Sequence, residues 1–193
     1  MAEDGGVSAG KHSPRAVRSV LHKGGKYDIE LLSASARDGS LRTRACVRHP
    51  GAVIILPILD GPGGRRIVFI RSYRLTVERY LLELPAGTRE LDEDPARCAA
   101  RELEEETGFV AGRLEPLADF LTSPGLSDER MWAFVASDLR PTAQRLEVDE
   151  DIEVMPLSVA EAWERVRREA PGERLEDAKS MLTLLLAHER GLL

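Results

Sequence analysis

Apolar residues in this chain fall into short runs of strand length, and these alternate with stretches in which apolar residues recur every three or four positions. The segment 51–59 is an almost unbroken apolar run, and 67–73 is another, which is typical of strands inside a buried sheet. Further strands are expected at 81–84, 114–121, 131–137 and 152–156, and helices at 95–107, 159–169 and 176–190. Strands interleaved with helices predict an α/β fold with a helix-covered sheet.

The first quarter of the chain has a different pattern. Segments 27–36 and 41–47 favour strands, and Arg-Asp-Gly-Ser at 37–40 predicts a tight turn between them, hence a hairpin. Two strands alone cannot bury their apolar faces, so a partner subunit is expected to cover them. The chain is therefore divided into a tail at 1–14 that is predicted to be disordered, a β-hairpin and dimerisation element at 15–49, and a main domain at 50–193.

Charge and composition exclude several kinds of partner. The formal net charge of −6 is spread over residues of both signs, and no segment is basic enough to follow a row of phosphates, so we expect no nucleic acid partner. No apolar run approaches the roughly 18 residues of a membrane helix, and the polar start lacks an export signal, which predicts a cytoplasmic protein. Cys46 and Cys98 are far apart and suggest neither a disulfide nor a zinc site.

The sequence predicts both ends of the helix at 95–107. Asp94 can cap the first free amides, Pro95 suits the first helical position, and Gly108 can adopt the left-handed conformation that closes the last turn. Small or apolar residues at three- and four-residue spacing are predicted to face the core: Ala96, Ala99, Ala100, Leu103 and Thr107.

Three glutamates crowd the last two turns of this helix. Glu102, Glu105 and Glu106 repel one another, and each also lies at the negative end of the helix dipole, at a cost of about 0.3–1 kcal/mol for an exposed acid. A divalent cation such as Mg²⁺ would remove both penalties, because it prefers carboxylate oxygens. The alternative is a solvated acidic face, which is common on helices.

The residues around this helix resemble the signature of the Nudix hydrolases. Nine specified positions across 23 residues fit without a mismatch: Gly87, Glu93, Arg101-Glu102-Leu103, Glu105-Glu106, Gly108 and Phe109. The resemblance covers about 51–193 and implies an α/β/α sandwich with a mixed sheet, preceded here by a small N-terminal antiparallel β element.

Flanking segments are similar to the ADP-ribose pyrophosphatase branch of this family. They are Arg-Ser-Tyr-Arg at 71–74, Glu-Leu-Pro-Ala-Gly at 83–87, and the segment 123–129 with Pro124 fifteen residues beyond Phe109. The branch implies a nucleoside diphosphate sugar as the substrate and an intertwined homodimer as the assembly. ADP-ribose, cleaved to AMP and ribose 5-phosphate, is the preferred expectation. GDP-mannose or another dinucleotide, and a catalytically silent nucleotide-binding module, remain as alternatives.

The resemblance also implies a metal site. Glu102 and Glu106 would bind the ion directly, Glu105 would bind it or support the other ligands, and the Ala86 carbonyl would complete the coordination. The expected ion is Mg²⁺, with Mn²⁺ as a possible substitute. Positions 102 and 106 are one helical turn apart, which supports a shared ion.

Other roles follow from the same resemblance. Arg101 and Glu93 are expected to form a pair that orients the loop against the helix. The proton acceptor is either a box glutamate such as Glu105 or an acid of the segment 147–151, with Glu150 preferred and Glu147 second. Acids in such a polar loop are, on their own, more often simply solvated.

Substrate contacts are expected at Arg71, Arg74, Glu83, Pro124 and Glu129. The two arginines can bind either phosphate or a carboxylate, and at three-residue spacing they face opposite sides of a regular strand. The turn at Pro124 alternatively only shapes its loop.

Aromatic residues are given mainly structural roles. Trp132 and Phe134 share one face of a predicted strand and are expected to belong to the core. Tyr73, or an aromatic residue of a partner chain, is the candidate to stack on the base.

Overall fold

The computed structural model describes residues 16–148, 150–168 and 174–193. The predicted disordered tail at 1–14 lies outside the described residues, as does Asp149 of the acidic loop. The described elements are, in chain order, β1 (Val17–His22), β2 (Asp28–Ser35), β3 (Leu41–Arg48), β4 (Ala52–Leu59), β5 (Arg66–Arg74), β6 (Arg79–Glu83), β7 (Ala86–Thr88), α1 (Pro95–Thr107), β8 (Phe109–Leu121), β9 (Arg130–Pro141), β10 (Ile152–Ser158), α2 (Val159–Arg167) and α3 (Ala178–Glu189).

The N-terminal element is a three-stranded antiparallel sheet in the order β1-β2-β3. The predicted hairpin is present as β2 and β3, but the prediction of only two strands was wrong, because β1 pairs along the outer edge of β2. The register of β1 shifts between Val20 and His22. This irregularity breaks the two-residue alternation by which a strand is recognised in a sequence.

The main sheet has seven strands and is mixed. Its order is β10-β5-β4-β9-β8, with β6 paired to β5 and β7 paired to β4. Strands β4 and β9 run parallel, whereas the other pairs are antiparallel. Strand β4 is buried on both faces, which explains its unbroken apolar sequence.

Helices cover both faces of this sheet. Helix α1 packs through Ala99 and Leu103 on the face that carries Val53 and Ile55. Helices α2 and α3 pack on the opposite face, where the buried residues include Ile54, Leu56, Ala162, Leu184 and Ala187. The α/β/α sandwich with a mixed sheet is therefore confirmed.

Helix α1 begins and ends where the sequence predicts. The Asp94 carboxylate accepts hydrogen bonds from the amides of Ala96 and Arg97 at 2.9 and 3.2 Å. Gly108 closes the helix with φ of 67°, and its amide donates to the Glu104 carbonyl. The strand predicted at 114–121 begins earlier, at Phe109, directly after this cap.

The buried face of α1 differs from the predicted one. Ala99, Leu103 and Thr107 are buried as expected, but Ala96 and Ala100 are exposed. The other buried positions are Cys98, Glu102 and Glu106. The helix is thus rotated so that two glutamates lie inside, which a choice based on apolarity alone excludes.

The remaining predictions for the core and the helices need small changes. Phe134 is buried beside α1, and Trp132 packs partly buried against the same cluster. The guanidinium carbon of Arg89 lies 4.7 Å from the centre of the Trp132 ring. Helices α2 and α3 are shorter than predicted, and position 169 lies outside the described residues. Within the described ranges, every helix is too short or too polar to cross a membrane.

Candidate active site

A cleft of about 630 Å³ opens beside the C-terminal half of α1. Its walls are formed by α1, by β7 and the loop that follows it, by the end of β5, and by residues 147, 150 and 151. The turn between β1 and β2 closes one side through Gly25 and Lys26. The cleft therefore brings together segments that are more than a hundred residues apart in the chain.

Two carboxylates are buried at the wall of this cleft. Glu102 is 8% exposed and Glu106 is 3% exposed, which excludes the solvated acidic face for this pair. The amide of Ala86 donates a hydrogen bond of 2.8 Å to Oε2 of Glu106. This bond fixes the Ala86 backbone, one of the predicted metal ligands, beside the acid of α1.

Gly87 allows the loop to lie directly against Glu102. A Cβ atom at Gly87 would stand 1.9 Å from Cδ of Glu102 and 2.1 and 2.2 Å from its two oxygens. No side chain fits in that space without moving the carboxylate. The glycine at the start of the signature is therefore required by this close approach.

The electrostatics of the two glutamates are unfavourable as they stand. Burial raises the pKa of Glu102 to about 7, with smaller increases from Glu105 and Glu150 that oppose the effect of Arg101. Burial first, and then the charge of Glu102, hold the pKa of Glu106 well above its usual range. A nearby positive charge would favour the ionised form of both acids.

The donor set fits a hard divalent cation in part. Glu102 and Glu106 converge beside the Ala86 backbone, whereas Glu105 accepts a bond of 3.0 Å from Nη1 of Arg101. In the portion of the chain that the structure describes, no group of three or more His, Cys, Asp and Glu side chains is arranged to hold a metal ion. Two buried carboxylates acting as ligands would leave coordination positions for water and phosphate oxygens, as Mg²⁺ requires.

Arg101 joins the loop to the helix. It donates through Nε and Nη2 to the two carboxylate oxygens of Glu93, each at 3.1 Å, and through Nη1 to Glu102 at 2.8 Å. This fork lowers the pKa of Glu93 to about 2. The geometry is that of the orienting pair which the sequence predicts.

The acidic loop reaches the same cleft. Glu150 and Glu147 both line it, and the Glu147 amide donates to Glu150 Oε2 at 2.8 Å. Nζ of Lys26 lies 3.6 Å from Glu147, which links the N-terminal sheet to this loop. The charge of Glu150 contributes to the raised pKa of both buried glutamates.

The two arginines of β5 have different surroundings. Arg71 lies 3.5 Å from Glu153 and places its guanidinium 4.1 Å from the centre of the Tyr80 ring, away from the cleft. Arg74 lines the cleft and donates to both oxygens of Glu83, at 2.7 and 2.9 Å. The strand therefore separates them, and of the two only Arg74 borders the cleft.

Aromatic residues stand at the same end of β5. Tyr73 is 41% exposed and lines the cleft, and its ring meets that of Tyr80 edge to face at 5.3 Å. The hydroxyl of Tyr80 donates to Asp151, which anchors the acidic loop to β6. An exposed ring at this position is available to stack on a base.

A second cavity, of about 510 Å³, adjoins the cleft. Both are lined by Arg74, Ala86, Gly87 and Thr88, so β7 forms a wall common to the two. Glu129 lines this second cavity, and its carboxylate accepts from the hydroxyl of Thr122.

Pro124 lies outside both cavities and is exposed. Its loop contacts the end of β3 instead, where the Val47 amide donates to the Leu126 carbonyl at 2.9 Å.

Several residues at the site were given no role from the sequence. In the sequence Gly87 is only a position of the signature, and no pattern singles out Lys179 of α3, which contacts Glu83. Lysine is rare in this arginine-rich chain, but nothing in the sequence connects position 179 to position 83. The role of Gly87 is open to inference from the sequence, because a glycine that the signature specifies beside a charged helix indicates close backbone approach.

Comparison with known proteins agrees with this geometry. Residues 48–180 match the NUDIX domain, so the chain belongs to the Nudix family and is a Nudix hydrolase. It is 36% identical over 151 residues to the ADP-ribose pyrophosphatase of Bacillus subtilis (strain 168), spanning 77% of this chain and 80% of that protein. It is also 36% identical over 159 residues to the methanol dehydrogenase activator of Bacillus methanolicus, spanning 81% and 80%.

A solved structure described as an ADP compounds hydrolase shares the fold. The TM-score is 0.77, and the match covers 95% of this chain and 100% of that one. The sequences are 22% identical, so this likeness concerns the fold alone.

Proposed function

We propose that this Nudix hydrolase cleaves the pyrophosphate bond of a nucleoside diphosphate sugar in a Mg²⁺-dependent reaction. The proposed substrate is ADP-ribose, which gives AMP and ribose 5-phosphate. The observation that carries the proposal is the pair of buried glutamates, Glu102 and Glu106, held against the Ala86–Gly87 backbone at the wall of a large cleft.

Glu102, Glu106 and the Ala86 carbonyl would hold the metal ion, and Mn²⁺ is a possible substitute. When bound, the ion neutralises phosphoryl oxygens and lowers the pKa of water. Glu105 supports this set by keeping Arg101 beside Glu102, and it is itself a candidate ligand. Arg101 also holds Glu93, so the loop cannot move away from the helix without breaking that pair.

Glu150 is the proposed proton acceptor, with Glu147 as the second candidate and Glu105 as the third. Glu150 is favoured because it lines the cleft and its charge acts on both buried glutamates. Arg74 is the proposed phosphate contact, because its guanidinium borders both cavities.

Two adjoining cavities suit a substrate made of two bulky parts that are joined by a pyrophosphate. We place the nucleoside in one and the distal sugar in the other, with the pyrophosphate crossing β7. Glu129 borders the second cavity and is a proposed sugar contact, and Tyr73 is the proposed stacking residue. The name of the Bacillus subtilis relative supports ADP-ribose over other nucleotide sugars.

Three of the expected contacts are weaker candidates. Arg71 faces Tyr80 and Glu153, Pro124 is outside both cavities, and the Glu83 carboxylate is already bound by Arg74. Their proposed parts are therefore indirect, in shaping β5, the loop at 123–129 and the Arg74 side chain.

We also propose that the chain works as a homodimer, with residues 15–49 as the dimerisation element and 50–193 as the catalytic domain. Val17 and Leu41 of the N-terminal sheet are 73% and 72% exposed, which is costly for large apolar side chains in water. Cys46 and Cys98 are free thiols, which supports a place in the reducing cytoplasm.

The test is a panel of pyrophosphates with Mg²⁺, read by the products formed. The panel contains ADP-ribose, GDP-mannose and a dinucleotide, with AMP, GMP and sugar phosphates as the measured products. We expect the highest kcat/KM with ADP-ribose. A preference for GDP-mannose would correct the substrate, and release of no phosphomonoester from any compound would refute the hydrolase.

A further inference from the structure

Glu83, at the end of β6, is an almost fully buried carboxylate. It is 1% exposed and lies directly before the Leu84–Ala86 segment that reaches the candidate metal site. Arg74 binds both of its oxygens, and Nζ of Lys179 contacts Oε2 as well. Despite its burial the pKa of Glu83 is lowered, because Arg74 and Lys179 outweigh the effect of desolvation.

Lys179 comes from the first turn of α3, on the far side of the sheet from α1. Its side chain is 17% exposed, and its ammonium also lies 2.9 Å from Asp177, which caps that helix. The neighbouring Ser180 accepts a hydrogen bond of 2.8 Å from the Leu84 amide. The first turn of α3 thus holds two successive residues, Glu83 by charge and Leu84 by its backbone.

The single positive charge of Arg74 both pairs with Glu83 and lies at the edge of the two cavities. Its fork binds Glu83, yet its side chain is 40% exposed and borders both cavities. If Arg74 were the sole cation beside the buried Glu83, its positive charge would be fully used in compensating that carboxylate. Lys179 divides its charge between Glu83 and Asp177, and its share on Glu83 reduces the demand on Arg74, so that more of the guanidinium charge can attract an anionic substrate.

We propose that Lys179 is a positioning residue for the pyrophosphate substrate, which neutralises Glu83 so that the charge of Arg74 remains available at the wall between the two cavities. The inference rests on the proposed function, and it adds a residue of the C-terminal helix to the site. Lys179 borders the second cavity beside Glu83. Its proposed role nevertheless runs through Glu83 and Arg74, and the double-mutant cycle below separates this route from a direct contact with the substrate.

The role predicts a change in substrate affinity instead of a change in chemistry. Lys179→Met is expected to raise the KM for ADP-ribose about tenfold with kcat within about twofold, because uniform binding is lost. Lys179→Arg keeps the charge and is expected to restore most of the affinity. Arg190→Met removes a positive charge at the exposed C-terminal end of the same helix, outside both cavities, and this control is expected to behave as the wild type.

A double-mutant cycle tests the route through Arg74. If Lys179 acts only through that residue, adding Lys179→Met to an Arg74→Ala background is expected to change KM by less than about twofold. Circular dichroism and thermal melts of each variant show whether it is folded. Should Lys179→Met not fold, Lys179→Gln is neutral and polar and is judged by the same criteria.

The outcomes separate this inference from the proposed function. A wild-type protein that releases no AMP from ADP-ribose refutes both. An active wild type in which the neutral variant has an unchanged KM, or loses kcat alone, refutes the role of Lys179. If Lys179→Met raises KM equally in the wild-type and the Arg74→Ala backgrounds, Lys179 does not act through Arg74.

Discussion

The buried carboxylate Glu83 and the buried pair Glu102 and Glu106 both lie close to β7, but their charges are compensated to different extents. Glu83 is 1% exposed and has two cations, Arg74 and Lys179, so its pKa is lowered. Glu102 and Glu106 are 8% and 3% exposed, and burial raises the pKa of both. The first site is complete within the chain, and the second is short of positive charge.

The contrast shows where an external cation is needed. Chains that bury an acid for structural reasons supply its partner, because an uncompensated buried charge is costly. Around Glu106 the chain supplies one amide donor, from Ala86, and places another acid nearby. Such an arrangement is unfavourable without a further positive charge, and a divalent ion is the partner that its oxygens suit.

The largest expected effect is a loss of turnover when Glu106, one of the two glutamates that lack sufficient positive charge, is replaced. Glu106→Gln removes a proposed ligand charge, and we expect kcat to fall about a thousandfold, equivalent to about 4 kcal/mol. The fold is expected to be at least as stable, because a buried charge is removed. Turnover assays and thermal melts measure the two effects, and unchanged turnover would contradict the assignment.

Gly87→Ala is expected to disturb the position of Glu102 by adding a methyl group to the neighbouring loop. The added methyl would meet the Glu102 carboxylate within 2.2 Å, so the carboxylate or the loop must shift. A displacement of about 1 Å is enough to lower activity about a hundredfold. Gly61→Ala, in the connection between β4 and β5, is the control, because a Cβ there meets no atom within 4 Å. Equal activity of the two variants would show that the close approach has no function.

At Glu83, whose charge is compensated by Arg74 and Lys179, we expect a substitution to change the stability of the fold. Glu83→Gln leaves Arg74 and Lys179 with a neutral partner, and we expect the free energy of unfolding to fall by about 2–3 kcal/mol, allowing for the exposure of Arg74. Denaturant titration measures this loss. A gain in stability, such as we expect for Glu106→Gln, would remove the contrast between the two sites.

The smallest effect is a pH dependence of the metal-free protein. Burial raises the pKa of Glu102 to about 7 in the folded state from 4.5 for an unperturbed glutamate, so the folded protein binds more protons between these values. Its contribution to stability is therefore full below about pH 4.5 and is lost as the pH rises towards 7.

Relative to the wild type, Glu102→Gln is expected to gain about 1–2 kcal/mol in unfolding free energy between pH 5 and about pH 8. Denaturant melts in the presence of a chelator at several pH values measure the difference. A difference that does not change with pH would contradict the raised pKa.

Local features of the chain were predictable from the sequence. Asp94 and Gly108 define helix α1 because capping depends on neighbouring residues. The unbroken apolar run of β4 likewise predicts a central strand.

Features that depend on distant contacts were not predictable. The partnership of Lys179 with Glu83 joins residues 96 positions apart. The rotation of α1 that buries Glu102 instead of Ala96 places Glu102 directly against Gly87, which lies outside the helix. Strand β1 was missed because its register shift disrupts the alternation.

The most direct test of the account is titration calorimetry of the substrate-free protein with Mg²⁺ and with Mn²⁺. Wild type and Glu106→Gln are compared, with Glu104→Gln as the control, because Glu104 pairs with Arg145 at 3.0 Å on another side of α1. We predict that the wild type and the control take up the cation and that Glu106→Gln does not. Equal uptake by all three proteins, or uptake by none of them, would contradict the claim that the buried glutamates form a metal site.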